Sequence, residues 1–337
     1  MADTHSSGAP SQEPHGEVHF PPIENGLDYL CSVVDHLVKT GENSPGARDL
    51  KYAVLHLQAA VEVLLKARLQ AEHWTLVFKV PGTAARAKFE SGEFESCSTE
   101  ETLARLKDIV GLDFAVKDVA ALTKLRKDRN ALQHYGLTAS GPATEARAGR
   151  VLDFLVGFLD EQLLSTLDAA VVDRLERDYT GRIRSGLGEI RAFVRNRMNR
   201  LRPQLDPWSP RVVRCHQCNQ FALLVDGQAN RCHFCAIDWA EQAAPGLAEV
   251  LGTFGSPARC PGCGENGLVR EVVTAYRGEE VTLCFACSEE FGSLKECADC
   301  ELPFVPQDGE SLCSTCLDDE HYNQMQHFFA VTTREVG

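Results

Sequence analysis

The sequence predicts a chain in two parts: an all-α helical bundle, then three small β-hairpin modules resembling zinc ribbons, an α plus small-β class. Three observations carry this. Through residues 27–178 apolar residues recur three and four apart, the period of a helix with one buried face. Twelve of the fourteen cysteines fall after residue 214, all in C-x2-C pairs. Between the two regions, "PQLDPWSP" at 203–210 holds three prolines in eight residues, and proline blocks helix propagation.

In chain order, residues 1–22 are expected to be a disordered leader. They are rich in Pro, Ser, Gly and His and have neither the basic stretch nor the apolar core of a secretory signal. No run approaches the roughly 18 apolar residues of a membrane helix, so no membrane association and a cytoplasmic location are expected. The helical domain spans 23–178. "LDYLCSVVDHLV" (27–38) reads as its first helix. Residues 49–73 are a stronger case, with Val54, Leu57, Val61, Leu64, Leu65 and Leu69 on one stripe and Glu62 four before Lys66, the spacing of a surface ion pair. The polar, Gly-containing stretch 79–98 reads as a loop. Ser98 and Glu101 have the spacing of a capping box before "TLARLKDIV". A helix over about 117–135 ends at Gly136, a C-cap residue. Residues 145–178 read as one long amphipathic helix, with Phe154, Leu155, Phe158, Leu159 and Leu163 on its buried stripe. Residues 179–210 form an arginine-rich helix and a Pro-rich linker. From 182 to 202 there are seven arginines and one acid. The arginines either pair with acidic neighbours along a connector or form an RNA or partner surface.

The modules follow at 211–245, 256–292 and 293–322, with a tail at 323–337. Their quartets are Cys215, Cys218, Cys232 and Cys235; Cys260, Cys263, Cys284 and Cys287; and Cys297, Cys300, Cys313 and Cys316. A C-x2-C turn aims two thiolates at one point. A hairpin brings a second pair opposite, and four sulfurs about 2.3 Å from a Zn2+ ion close a tetrahedron. "FALLVDGQANRC" and "LVREVVTAYRGEEVTLC" supply β-rich runs around Asp-Gly and Arg-Gly turns. Segments this small cannot fold on apolar burial alone, and zinc binding worth roughly 10–16 kcal/mol per site offsets the deficit. Three consecutive quartets argue against disulfides or a redox pair. Because only nine residues separate Cys287 from Cys297, the spacing leaves cross-bracing open. With all four positions taken by cysteine the zincs are structural, since a catalytic zinc keeps a position open. His216 and His233 fall inside C-x2-C pairs and read as bystanders. Cys31 and Cys97 read as ordinary buried thiols.

Charge divides the chain further. Net charge is −14; residues 1–210 carry 26 basic and 29 acidic groups, and residues 211–337 carry 8 and 19. The acidic modules are a poor match for a phosphate backbone, which disfavours direct DNA contact by the modules, as in a transcription-associated zinc-ribbon regulator, and favours a protein partner there.

"LRKDRNALQHYG" (125–136) concentrates the remaining chemistry. The R-x4-H spacing alone is unspecific, because it also occurs at Arg68–His73 and Arg211–His216. In the 129–134 copy, Asn130 and His134 stand at i and i+4 on one helix face, with Arg129 about 140° from His134 at 100° per residue. A polar arc on one helix becomes a pocket when a second copy faces it across a twofold axis.

"RNALQH", with the preceding "AAVEVLLKARL" helix, resembles the HEPN domain family, whose motif is R-x(4–6)-H, here with Asn after Arg. The resemblance covers roughly residues 25–170. It implies a homodimer through the helical domain and a metal-independent endoribonuclease with Arg129 and His134 catalytic, Asn130 supporting them, and Glu62 and Lys66 at the flank. In that chemistry the imidazole moves the proton of a ribose 2′-OH and the guanidinium stabilises charge on the phosphorane, leaving a 2′,3′-cyclic phosphate. HEPN folds also serve as non-catalytic RNA- or protein-binding scaffolds. The expectations are therefore a toxin, defence or RNA-processing nuclease with zinc ribbons for docking or regulation, or such a scaffold.

Overall fold

The computed structural model describes residues 19–38, 45–227, 229–239, 244–251, 258–276, 280–307 and 309–319. Most of the expected leader, from 1 to 18, and all of the 323–337 tail lie outside them. Among the described residues ten α-helices precede or interrupt ten short strands.

α1 (Pro22–Leu37) and α2 (Ala47–Glu72) form the central hairpin. The predicted α2 stripe is buried, with Val54, Leu57, Val61, Leu64, Leu65 and Leu69 each at most 2% exposed. The stretch 74–97 is more ordered than a loop. Within it lie 3-10 turns, the short α3 (Arg86–Ser91) and a bridge between Phe78 and Ser96. Phe78 stacks on Phe94 at 4.2 Å with Trp74 and Phe89 around them, a small aromatic core of its own. α4 (Thr99–Asp108) starts at the expected capping box: Ser98 accepts from the Glu101 amide and Glu101 from the Ser98 amide. α5 (Val116–His134) ends at Gly136, whose φ of 88° and amide bond to Ala131 O close the helix.

The long helix expected over 145–178 is divided. α6 (Gly141–Phe158) runs into a π-turn, Leu159–Leu163, and a 3-10 turn before the chain bends at Leu167 and restarts as α7 (Ala169–Leu175). The arginine-rich segment is also two helices, α8 (Gly181–Leu187) and α9 (Arg191–Leu205). At the break Gly188 lies against the Cys218 carbonyl, where a side chain has no room. α9 contains Pro203 and ends two residues beyond it; a 3-10 segment, Asp206–Arg211, leads into the first strand.

Module 1 is a four-stranded antiparallel meander, β1 (Val212–Arg214), β2 (Phe221–Leu224), β3 (Asn230–Cys232) and β4 (Asp238–Trp239). α10 (Ala244–Leu251) packs on module 2, a second meander of β5 (Ala258–Arg259), β6 (Asn266–Val273), β7 (Glu280–Cys284) and β8 (Glu290–Phe291). Module 3 has two strands, β9 (Lys295–Glu296) and β10 (Pro303–Phe304). One apolar core runs from α1 through α9 into module 1 and reaches Val269, Val272, Leu283 and Phe285 of module 2. No helix among the described residues is long and apolar enough to cross a membrane.

Candidate functional site

Each cysteine quartet closes on itself, so neighbouring modules do not share ligands: within each group the four sulfurs lie within 4.8 Å of one another. The Sγ–Sγ separations include 3.8 Å for Cys215–Cys235, 3.7 Å for Cys218–Cys232, and 3.8 Å for Cys260–Cys287, Cys263–Cys284 and Cys300–Cys313. A tetrahedron with metal–sulfur bonds of about 2.3 Å has edges of about 3.8 Å, whereas a disulfide needs about 2.05 Å. None of the cysteines is in a disulfide. The quartets are therefore positioned to hold metal ions.

A repeated backbone turn creates this geometry. In all six C-x2-C pairs the residue after the second cysteine donates its amide to the carbonyl of the first, as in Asn219 to Cys215 and Ala236 to Cys232. In five of them that residue is left-handed: Asn219, Ala236, Gly264, Ser288 and Glu301. Alanine and glutamate pay a conformational cost there, so the turn is held by what it encloses. The sixth pair, Cys313 and Cys316, instead opens a short helical segment, 314–319.

The electrostatics agree. Burial pushes the Cys232 and Cys284 thiols well above their ordinary range, and Cys287 up to about 11. Clustered thiols in such surroundings ionise together only beside a cation. Three thiols go the other way: Cys297 is brought down to about 6 by the amides of Cys300 and Cys313, Cys215 is lowered by hydrogen bonds with Cys218, Cys232 and Cys235, and Cys263 is lowered, against its burial, by the Glu265 amide. The two histidines do not join the quartets: His216 packs edge-on against Trp239 at 5.4 Å, and burial keeps the His233 imidazole below its ordinary range. Cys31 is a buried thiol pushed up to about 11 by burial, and buried Cys97 contacts Thr102.

The arginines of α8 and α9 bind the helical part to module 1. Arg184 donates to Cys235 O and pairs with Glu176. Arg197, 5% exposed, donates from Nε to Phe234 O at 2.5 Å, from Nη2 to His233 O at 3.0 Å and from Nη1 to Asp153 at 2.7 Å. Arg200 shares Asp153 at 2.6 Å. Arg182 pairs with Asp35. Beside this network a cleft of about 600 Å3 opens between α6, α9 and module 1.

Arg129, Asn130 and His134 do not line that cleft. They lie at the C-terminal end of α5, whose rotation is fixed by Asp128. That carboxylate is 2% exposed and held by Lys124 at 3.0 Å and Arg147 at 2.8 Å. Measured from buried Leu125, Arg129 is about 40° away around the helix, Asn130 about 140° and His134 about 180°, so Arg129 stays at the edge of the core and His134 turns from it. Arg129 donates to Gln133 at 3.1 Å and stands 3.8 Å from Glu62. Glu62 takes Lys66 at 2.6 Å, and Lys66 also donates to Ser96 at 2.8 Å. Asn130 is half-buried and His134 exposed; neither side chain forms a hydrogen bond among the described residues. Tyr135 beside them is 81% exposed.

Compared with protein-family models, curated proteins and solved structures, the chain matches none of them.

Proposed function

We propose that this chain is a HEPN-type endoribonuclease that works without a catalytic metal, and that Zn2+ fills its three cysteine quartets as structural ions. The observation that carries the reading is the state of the α5 face. Asn130 and His134 have no partner among the described residues and sit beside Arg129, while the buried polar residue of the same turn, Asp128, is fully engaged. Unspent polar groups of these types on an open surface suit a substrate or a second copy of the chain, and a twofold dimer turns one arc into a two-sided site. His134 as base removes the 2′-OH proton. The 2′-oxygen attacks the adjacent phosphorus, the bond to the 5′-oxygen breaks, and that oxygen receives a proton. Arg129 stabilises the extra negative charge, and Asn130 orients the phosphate. Zinc is favoured over other ions by a soft, fully protein-filled thiolate set with tetrahedral edges. Acidic modules on such a nuclease serve to dock a protein rather than to hold RNA.

Arg129's proximity to Glu62 favours a second reading, since that carboxylate takes up part of its charge: the helical part dimerises and binds RNA or protein without cutting. Incubating purified protein with total RNA and tRNA, without divalent metal, separates the two. The nuclease gives discrete cuts with 2′,3′-cyclic ends that fall at least about 100-fold in His134→Ala, while the helical spectrum and dimer persist. Cutting that survives in His134→Ala, or no cutting by a dimeric, zinc-loaded chain, overturns the nuclease reading.

A further inference from the structure

The three metal centres sit in unlike surroundings. All four cysteines of module 1 are buried and belong to the main core, with Phe234 between them at 0% exposure. Their turns accept hydrogen bonds from Arg184 and Arg197, and Gln217 and Gln220 donate back to Gly181 and Gly188. Module 2 has a small core of its own, Cys260, Leu268, Cys284 and Phe291, while its β6 and β7 contribute to the main one. It is further tied to module 1 by Asn230, whose side-chain amide donates to Phe285 O at 2.9 Å, and by the Val213–Thr274 bridge.

Module 3 has much less support. Leu294 at its start packs against the module 2 core, but its buried residues Cys297, Pro303 and Phe304 belong to neither core cluster. Its sheet is two strands of two residues each. The ion pair that reaches module 2, Arg270–Glu296 at 3.3 Å, has both partners about half exposed or more, where such pairs contribute little. Cys300 is exposed, as Cys263 is in module 2, and Cys313 and Cys316 are partly so. The module's shape thus depends on the four sulfur bonds and a few turn hydrogen bonds, and a segment without a core folds only as its metal binds.

We infer that module 3 is an exchangeable metal centre that folds and unfolds with its ion while the rest of the chain stays intact, making it a metal-responsive switch at the end of a rigid body. A competing ligand reaches the metal past Cys300 without opening any core. At module 1, whose four cysteines are all buried, the same approach requires core residues to separate first; at module 2 Cys263 is exposed, but the turns there stay held by that module's own core and by its ties to module 1 when a ligand attacks. The inference rests on the metal occupancy proposed above and not on the nuclease reading.

The test uses the full-length, zinc-loaded chain. A chromogenic zinc chelator is itself titrated in as the competing ligand at neutral pH without denaturant, its colour counts the zinc it removes, and freed cysteines are trapped with iodoacetamide and located by peptide mass spectrometry. The expected result is one equivalent released well before the others, with first alkylation confined to Cys297, Cys300, Cys313 and Cys316 and the helical circular dichroism unchanged. Cys300→Ser lowers the zinc content by one per chain and leaves thermal unfolding of the helices in place. Release of all the zinc in one step, or first alkylation in module 1 or 2, overturns the inference. A chain that binds no zinc on reconstitution overturns the occupancy beneath it.

Discussion

Replacing Arg197 with alanine should destabilise the chain more than any other single arginine change in α8 or α9. Its guanidinium spans three acceptors on two parts of the molecule: the Asp153 carboxylate on α6 and the carbonyls of His233 and Phe234 in the second cysteine turn of module 1. Removing one partner of a buried charge pair costs about 3–5 kcal/mol. Asp153 keeps Arg200 at 2.6 Å, which places the electrostatic part at the lower end. The two carbonyls lose their donors, at about 1–3 kcal/mol each where water cannot reach. These losses overlap, and about 4 kcal/mol in total is the working figure, a large share of the roughly 5–15 kcal/mol that holds a domain folded.

The assay is urea unfolding of the zinc-loaded chain followed by circular dichroism and tryptophan fluorescence, with Trp239 reporting module 1. The midpoint should fall with little change in slope. Arg197→Lys should recover about half, because an ammonium can face Asp153 but cannot reproduce a planar fork aimed at two carbonyls as well. Arg195→Ala, an exposed neighbour without an ion pair among the described residues, is the control and should stay within about 0.5 kcal/mol. If Arg197→Ala lies within about 1 kcal/mol of the parent, or Arg195→Ala matches it, the bond between α9 and module 1 does not do what its geometry implies.

Three further outcomes are expected. Ser98→Ala removes the cap of α4 and should cost about 1 kcal/mol, read by the same unfolding curve; no change would mean the helix start is held by the 74–97 aromatic core instead. Gly149→Ala should cost about 1–3 kcal/mol, since a Cβ there falls 2.9 Å from the Phe193 amide nitrogen and 3.0 Å from Ala192 C, both backbone; a stabilised variant would contradict the close α6–α9 approach. His56, beside Ser32 at 2.7 Å, has its pKa lowered from 6.5 by burial and by the neighbouring His36. The unfolded chain therefore takes up this proton at higher pH than the folded one, and the contribution is complete above pH 6.5 and declines as pH falls through the window below it. Histidine NMR should place its midpoint below 6.5, and a midpoint at or above that value would refute the assignment.

What could be read in the sequence was whatever a short-range pattern encodes. The α2 stripe, the Ser98–Glu101 cap, the Gly136 end and the grouping of twelve cysteines into quartets all follow from spacing within some thirty residues. The missed features have long-range causes. Leu167 and Asp168 carry no Gly or Pro to announce the break in the long helix; it comes after a π-turn and a 3-10 turn. The order within 74–97 depends on four aromatic rings meeting across twenty residues, a pattern with no period. The residue following each second cysteine was a usable signal that went unread: Asn219, Gly264 and Ser288 are types that tolerate left-handed backbone or turns. At the candidate nuclease face, the i,i+4 pair Glu62–Lys66 was legible, but its approach to Arg129 from another helix was not.

The arginines of 182–202 show how composition can mislead about nucleic acid. Seven of them in one short segment look like a phosphate-binding surface. Four are committed internally: Arg182 to Asp35, Arg184 to Glu176 and Cys235 O, Arg197 and Arg200 to Asp153. Two of these four also cap carbonyls in the cysteine turns of module 1, where backbone acceptors would otherwise be buried without donors. Arg184 and Arg197 thus use their charge to join the helical bundle to module 1, Arg182 and Arg200 pair within the bundle, and the modules beyond carry a net negative charge. A chain built this way has little broad positive field with which to collect RNA. If RNA is its substrate, recognition has to come from a few groups placed at close range, and Arg129, Asn130, His134 and the exposed ring of Tyr135 are the groups that α5 leaves uncommitted or only partly engaged at one edge of the fold.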